Sequence, residues 1–378
     1  MIYLDNSATT APEKAVAEKV YKMLTDNFGN PSSFHRAGLD ANAELRHARE
    51  VVAKSLSAEE EEIFFTSGGT EANNLAIFGA VQANRRKGKR IVTTAIEHES
   101  VLEAVNELEM QGFEVIRLAP DKSGKISEEQ LKEAINKDTI LVSVMYVNNE
   151  VGSVLPVKCI KKAVEKAGAP ALVHIDCVQA YGKIEVKPKK LGADLVTITA
   201  HKIHGPKGVG ALCIRKGARI LPRQFGGAQE SKIRPGTEAI PLIAGFGKAV
   251  ELIPDLKAQN EKIKDLCDYA RAQLKTLDGV IINSAEDASP YIINLFVPSF
   301  MTSQTLVQHL SSNYGICISS GSACAKGKKS HVLTAMKLGD SVIEHSIRIS
   351  FSRNSTKEEV DALVKALGET IEKYPQGR

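Results

Sequence analysis

The chain has 378 residues, 43% hydrophobic and 25% charged, and its 49 Lys and Arg against 45 Asp and Glu leave a formal net charge of +4. That length predicts about two domains, and so small and evenly spread a positive excess argues against a nucleic-acid surface while suiting an anionic cofactor. No run approaches the ~18 uninterrupted apolar residues of a membrane helix, and the start Met1-Ile2-Tyr3-Leu4-Asp5-Asn6 carries no basic leader followed by an apolar region, so the expected location is the cytoplasm.

Along the chain, Leu45, Ala48, Val52 and Leu56 recur at helical spacing among charged residues. Phe64-Phe65 is a short apolar run that the turn Thr66-Ser67-Gly68-Gly69 joins to a helix. Ile91 to Thr94, Val115 to Leu118, Ile140 to Val144, Ala171 to Ile175, Leu195 to Thr199 and Gly210 to Ile214 then alternate with longer amphipathic stretches. Strands apolar on both faces at this rhythm predict an α/β fold with a mostly parallel sheet covered by helices. Ligands in such sheets collect at the carboxyl ends of the strands. From Glu238 to Leu277 the pattern is helical, broken at Pro254. The remainder reads as a smaller α/β unit with strands Ile292 to Val297, Ile316 to Ser319 and Ser346 to Ser352 and a closing helix from Lys357 to Lys373, placing a boundary near residue 255.

Lys202 follows the strand Leu195 to Thr199 and enters the turn His204-Gly205-Pro206. A poorly hydrated lysine there makes a neutral amine available to a carbonyl, although most strand-end lysines are merely solvated. Asp176 ends another strand, where a buried carboxylate needs a cationic or hydrogen-bonding partner; a protonated pyridine nitrogen or a plain helix cap would serve equally. Gln179 could donate to an oxygen on such a ring, and His98 could stack on its face or shuttle protons, unless it is structural. Thr70 and the free N–H groups of the Ser/Gly turn make either a phosphate cradle or an ordinary N-cap. All of these residues, with Thr199 and His201, fall at predicted strand carboxyl ends. An aldehyde-bearing, phosphorylated pyridine satisfies every one of them, and that molecule is pyridoxal 5′-phosphate (PLP).

The six cysteines show no repeated spacing and no CxxC pair, so neither a disulfide framework nor a zinc site is indicated. Five read as small apolar fillers. Cys324 differs, because it lies in a small, polar, glycine-bearing run with Lys326, Lys328, Lys329 and His331 close by to favour its thiolate. The same basic residues also suit a solvated loop tip or a landing site for an acidic partner. Arg348, in the alternating strand Ser346 to Ser350, could pair with a substrate carboxylate or face solvent; Arg353 is a neighbouring candidate.

The runs Tyr3 to Thr10, Gly29 to Ser33, Thr66 to Asn74, Glu97-His98, Val147 to Gly152, His174 to Gln179, His201 to Gly208, Arg234 to Thr237 and Ser319 to Cys324 resemble the cysteine desulfurases, PLP enzymes of aminotransferase class V. The resemblance implies fold type I, with a large domain (14–255) on a mostly parallel seven-stranded sheet. A smaller α/β domain (1–13 and 256–378) would carry a mobile cysteine loop at about 319–331. It implies Lys202 as the Schiff-base lysine, His98 stacked on the ring, Asp176 on its nitrogen and Gln179 on its phenolic oxygen. Gly69, Thr70, Thr199 and His201 would hold the phosphate, and Thr237 would reach the phosphate of the other subunit of a homodimer. Asn149 and Arg348 would orient the substrate, and Cys324 would carry the persulfide. The activity implied is removal of sulfur from L-cysteine, giving L-alanine, with transfer to an acceptor protein such as an iron–sulfur scaffold or a tRNA-thiolation enzyme. A selenocysteine lyase or another class V aminotransferase is the alternative. Two departures stand out: the run Gly226 to Lys232 is poorer in glycine and arginine than is usual, and the stretch from Cys324 to Val332 is slightly shortened, lacking a Glu-Pro step.

Overall fold

The computed structural model describes residues 1–320 and 329–375. Twelve strands are present among them: β1 (Ile2–Tyr3), β2 (Ile63–Thr66), β3 (Arg90–Thr94), β4 (Glu114–Leu118), β5 (Thr139–Met145), β6 (Leu172–Asp176), β7 (Leu195–Thr199), β8 (Gly210–Ile214), β9 (Ile281–Ile282), β10 (Ile292–Phe296), β11 (Ile316–Cys317) and β12 (Ser346–Ser350). Seven form the main sheet in the order β2-β8-β7-β6-β5-β3-β4. Only β8 runs against the others, pairing antiparallel with both β2 and β7.

Alternation along the strands explains why both faces are apolar. Val92, Val142, Val173, Val196 and Cys213 sit in one buried cluster, while their neighbours Ile91, Leu141, Leu195 and Leu212 sit in another. Each strand therefore feeds two dry interfaces, one per sheet face. The ladder pairs Met145 with Asp176 and Asp176 with Thr197, so the ends of β5 and β6 lie side by side and β7 runs two residues further, to Thr199.

The sequence's helical stretch around Pro254 is two helices, Ile240–Glu251 and Leu256–Leu274. Asp255 caps the second by accepting from the N–H of Ala258 at 2.9 Å. The expected strand beginning at Ile316 ends at Cys317, and Ser319 joins β12 through a bridge to Arg348. A separate core gathers Leu4 with Ile263, Tyr291, Leu295, Ile347 and Val360. Val332, Leu333 and Met336, although late in the chain, pack into the core of the large sheet. The N-terminal segment touches both regions: β1 pairs with β11 and Asp5 bridges Ser350, while the N–H of Thr10 donates to the His201 carbonyl at 2.9 Å beside β7.

In the glycine-poor run, Glu230, Ser231 and Lys232 have φ of 44°, 53° and 65°, a left-handed conformation that is strained for non-glycine residues. Arg49 holds it, its Nη2 donating to Glu230 Oε1 at 2.6 Å while the N–H of Phe65 donates to Oε2 at 2.9 Å. No helix among the described residues is long and apolar enough to cross a membrane.

Candidate active site

The carboxyl ends of the parallel strands open into one cavity of about 300 Å³, lined by Gly69, Thr70, His98, Asn149, Asp176, Gln179, Thr199, His201, Lys202 and Arg348. Ten of the twelve residues to which the resemblance gives a role thus share one site. Thr237 is exposed and lies in a different concavity, beside Phe225 and Gly226. Cys324 lies outside the described residues, as do Lys326 and Lys328.

Lys202 ends a short 3-10 turn, Ala200–Lys202, directly after β7. Its Nζ donates to the carbonyl oxygens of Ser7 and of Ala8, the latter at 2.7 Å. Gln179 Nε2 donates to the same Ser7 carbonyl at 2.9 Å, so lysine amine and glutamine amide converge on one acceptor. Nothing in the residue pattern signals this contact, because a backbone carbonyl has no residue signature.

Asp176, the last residue of β6, is 4% exposed. Its Oδ1 accepts from the N–H of Val178 at 2.9 Å and its Oδ2 from Asn73 Nδ2 at 2.8 Å. Asn73 Nδ2 also donates to Ser100 Oγ at 2.9 Å, which lies 2.8 Å from His98 Nδ1. A chain of hydrogen bonds therefore links the carboxylate to the imidazole. His98 caps the helix Glu99–Met110, its Nδ1 accepting from the N–H of Ser100 at 3.1 Å. With Nδ1 committed as an acceptor, the proton of the neutral ring sits on Nε2. Burial, reinforced by the Lys202 charge and opposed by Asp176, holds the His98 pKa below the usual imidazole range. Burial, with Lys202 and Lys207, pushes His201 down to about 3, so it too is neutral.

The helix Gly69–Asn84 begins at the cavity, with Gly68 at φ 153°. Its first N–H groups have no partner within the helix and present a positive end to an anion. A Cβ on Gly69 would meet Val178 Cγ2 at 3.0 Å, so this edge of the cradle is filled by bare backbone. Thr199 Oγ1 donates to the Val209 carbonyl at 3.1 Å, which commits its proton within the protein.

Arg348 is 2% exposed. Its Nη1 donates to the Asn149 carbonyl at 2.9 Å and its Nη2 to Asp5 Oδ1 at 2.8 Å. Arg353 is engaged elsewhere, with Glu13 Oε1 and the Leu252 carbonyl, both at 2.8 Å. Sequence reasoning missed Asn73, Ser100, Glu97 and Lys183, all built into or directly behind this wall. Three of the five described cysteines, Cys177, Cys213 and Cys267, are buried, and burial raises the pKa of each.

The family Aminotransferase class-V matches residues 2–363. The chain is 42% identical over 376 residues to the cysteine desulfurase IscS of Methanosarcina thermophila, covering 98% of this chain and 92% of that protein. Among solved structures, a NifS-like protein superposes with a TM-score of 0.91 at 37% identity, covering 98% of this chain and 99% of the other. A structure described as SspA in complex with cysteine gives a TM-score of 0.82 at 32% identity, covering 94% and 100%. Fold, site geometry and full-length likeness agree: the chain belongs to the class-V aminotransferase family, among its cysteine desulfurases.

Proposed function

We propose that this cysteine desulfurase holds PLP in the strand-end cavity, removes the sulfur of L-cysteine to give L-alanine, and carries that sulfur as a persulfide on Cys324. The observation that carries the reading is the meeting of Lys202, Asp176 and His98 in one cavity. The donor set fits the cofactor: an amine for its aldehyde, a buried carboxylate held by neutral donors for its ring nitrogen, an imidazole for its face and a helix N-terminus for its phosphate. Asn149 Oδ1, buried without a hydrogen-bond partner, lines the same cavity and offers one more acceptor.

Class-V aminotransferases and cysteine desulfurases are PLP enzymes in general. When bound, the cofactor supplies an aldehyde for amines and a protonated ring that draws electrons from the bonds around the substrate's α-carbon. Lys202 would hold the aldehyde, Asp176 the ring nitrogen, Gln179 the phenolic oxygen, and Gly69, Thr70 and His201 the phosphate, with Thr199 joining them once its hydroxyl turns from the Val209 carbonyl. Arg348, fixed by Asp5 and Asn149, orients the cysteine carboxylate. Lys202 Nζ moves the proton at the substrate α-carbon, and His98 exchanges one through Nε2. The Cys324 thiolate bonds to the substrate sulfur as the carbon–sulfur bond breaks and its electron pair returns to the carbon skeleton.

A homodimer completes the reading, with Thr237 serving the phosphate of the other subunit. Phe225, 88% exposed, lies in the concavity that also holds Thr237, where a second copy would cover both. Residues 14–255 and the pair of segments 1–13 and 256–378 act as large and small domains. The acceptor is an iron–sulfur scaffold or a tRNA-thiolation enzyme, met in the cytoplasm.

The test joins two measurements. Borohydride reduction of the PLP-loaded protein followed by peptide mapping is expected to find the pyridoxyl group on Lys202. Cys324→Ala is expected to keep the visible absorption of bound cofactor and lose alanine and persulfide formation. A label elsewhere, or normal turnover by the variant, overturns the assignment.

A further inference from the structure

Lys183 is a lysine buried to 6% exposure, four residues after Gln179 and behind the cavity wall. Its Nζ donates to Gln179 Oε1 at 3.0 Å and sits 5.3 Å from the centroid of the Tyr291 ring. Tyr291 is itself fixed, its hydroxyl accepting from Gln259 Nε2 at 2.6 Å. The charged and titratable groups around the same small space are Lys202, His204, Arg353 and Tyr291, with Arg348 acting from further off. Burial and the Arg348 charge push Lys183 down to about 7. The ammonium form can only donate, and in the observed contact the nitrogen donates to Gln179 Oε1.

A glutamine amide has two ends that a half-turn exchanges, and only one is a donor. With Lys183 donating to Oε1 and the Ser7 carbonyl accepting from Nε2, the half-turn would set the NH₂ against the Lys183 ammonium and Oε1 against the Ser7 oxygen. The observed orientation is therefore fixed, and it sends Nε2 to the Ser7 carbonyl where Lys202 Nζ also lies. We propose that Lys183 is a positioning residue that locks the Gln179 carboxamide with its N–H end toward the cofactor's phenolic oxygen. This rests on the PLP reading above. An unlocked amide could turn its own carbonyl oxygen to that oxygen, replacing a hydrogen bond by repulsion.

The experiment is a double-mutant cycle read on the pH midpoint of the bound cofactor's visible band, not on turnover. Wild type, Lys183→Met, Gln179→Ala and the double variant are loaded with PLP and titrated, and thermal melts of the unloaded proteins report folding. Lys183→Met is expected to displace the midpoint in the same direction as Gln179→Ala, by about half to one pH unit, the worth of one hydrogen bond. In the Gln179→Ala background it is expected to add nothing. An undisplaced midpoint in Lys183→Met, or a displacement that adds to that of Gln179→Ala, overturns the proposal. Should the Met variant not fold, Lys183→Arg, which keeps a donor, must retain the wild-type midpoint; a displaced one overturns the proposal equally. A wild type that shows no visible band with PLP would instead strike the proposed function itself.

Discussion

The hydroxyl of Ser330 donates to Glu150 Oε2 at 2.5 Å, and both residues are buried. Ser330 also caps the helix His331–Ala335 by accepting from the N–H of Leu333 at 3.1 Å, and Glu150 follows Asn149 in the cavity wall. One hydroxyl thus ties the chain after the cysteine-bearing run to the substrate side of the site. Ser330→Ala is expected to cost about 1–3 kcal/mol, since it leaves a buried carboxyl without that donor, and Ser330→Thr to cost less. Urea unfolding measures the difference, and equal midpoints for wild type and Ala variant would refute it.

Arg348 bridges two acceptors with two separate nitrogens, the Asn149 carbonyl and Asp5 Oδ1. A lysine has a single nitrogen and cannot reproduce that fork. Arg348→Lys is expected to raise KM for cysteine about tenfold or more, corresponding to ~1.4 kcal/mol of binding, with a smaller change in kcat. Initial rates across cysteine concentration decide it: an unchanged KM shows that the guanidinium does not receive the substrate.

Asn73 donates through one nitrogen to both Asp176 and Ser100. Asn73→Ala leaves Asp176 Oδ2 without its donor and breaks the link to His98. The expected result is PLP affinity lowered about tenfold, the worth of a hydrogen bond to a charged group, followed by titrating unloaded protein with PLP. Wild-type affinity in the variant would show that Asp176 is oriented by other means.

Glu97 is fully buried, its Oε1 accepting from Thr94 Oγ1 at 2.7 Å and from the N–H of Met145 at 3.0 Å. Burial, with the nearby Asp176 adding to it and these hydrogen bonds opposing it, raises its pKa from 4.5 to about 8. The folded protein then holds a proton that the unfolded chain releases above 4.5. This contribution to stability is fully present below 4.5 and is lost as the pH rises toward 8, at ~1.4 kcal/mol per unit of difference. Glu97→Gln, neutral at every pH, escapes the loss. Its melting temperature is expected to gain on wild type as the pH rises from 5 to 8.5, and parallel curves would refute the assignment.

The main sheet was legible because its strands are dry on both faces, which marks them as short continuous apolar runs. The groups at their ends were legible because lysine, aspartate and histidine stand out at the close of such runs. The helix Lys14–Thr25 was not, since it is short and buries only Val16 and Met23. Lys183 carried no signal in Tyr181-Gly182-Lys183; its burial comes from Gln259 and Tyr291, far along the chain. Glu97 was read only as the neighbour of His98, because nothing local reveals that Met145 and Thr94 would close over it. Asn73 lay within a quoted run but had no role until the fold set it against Asp176.

Lys202, Gln179 and Arg348 all lean on the first ten residues: two carbonyls beneath the lysine amine, one of them shared with the glutamine amide, a carboxylate behind the arginine fork and a strand laid along Ile316–Cys317. Trimming those residues would strip the Lys202 amine, the Gln179 amide and the Arg348 fork of partners in a single cut, so affinity handles belong at the opposite terminus.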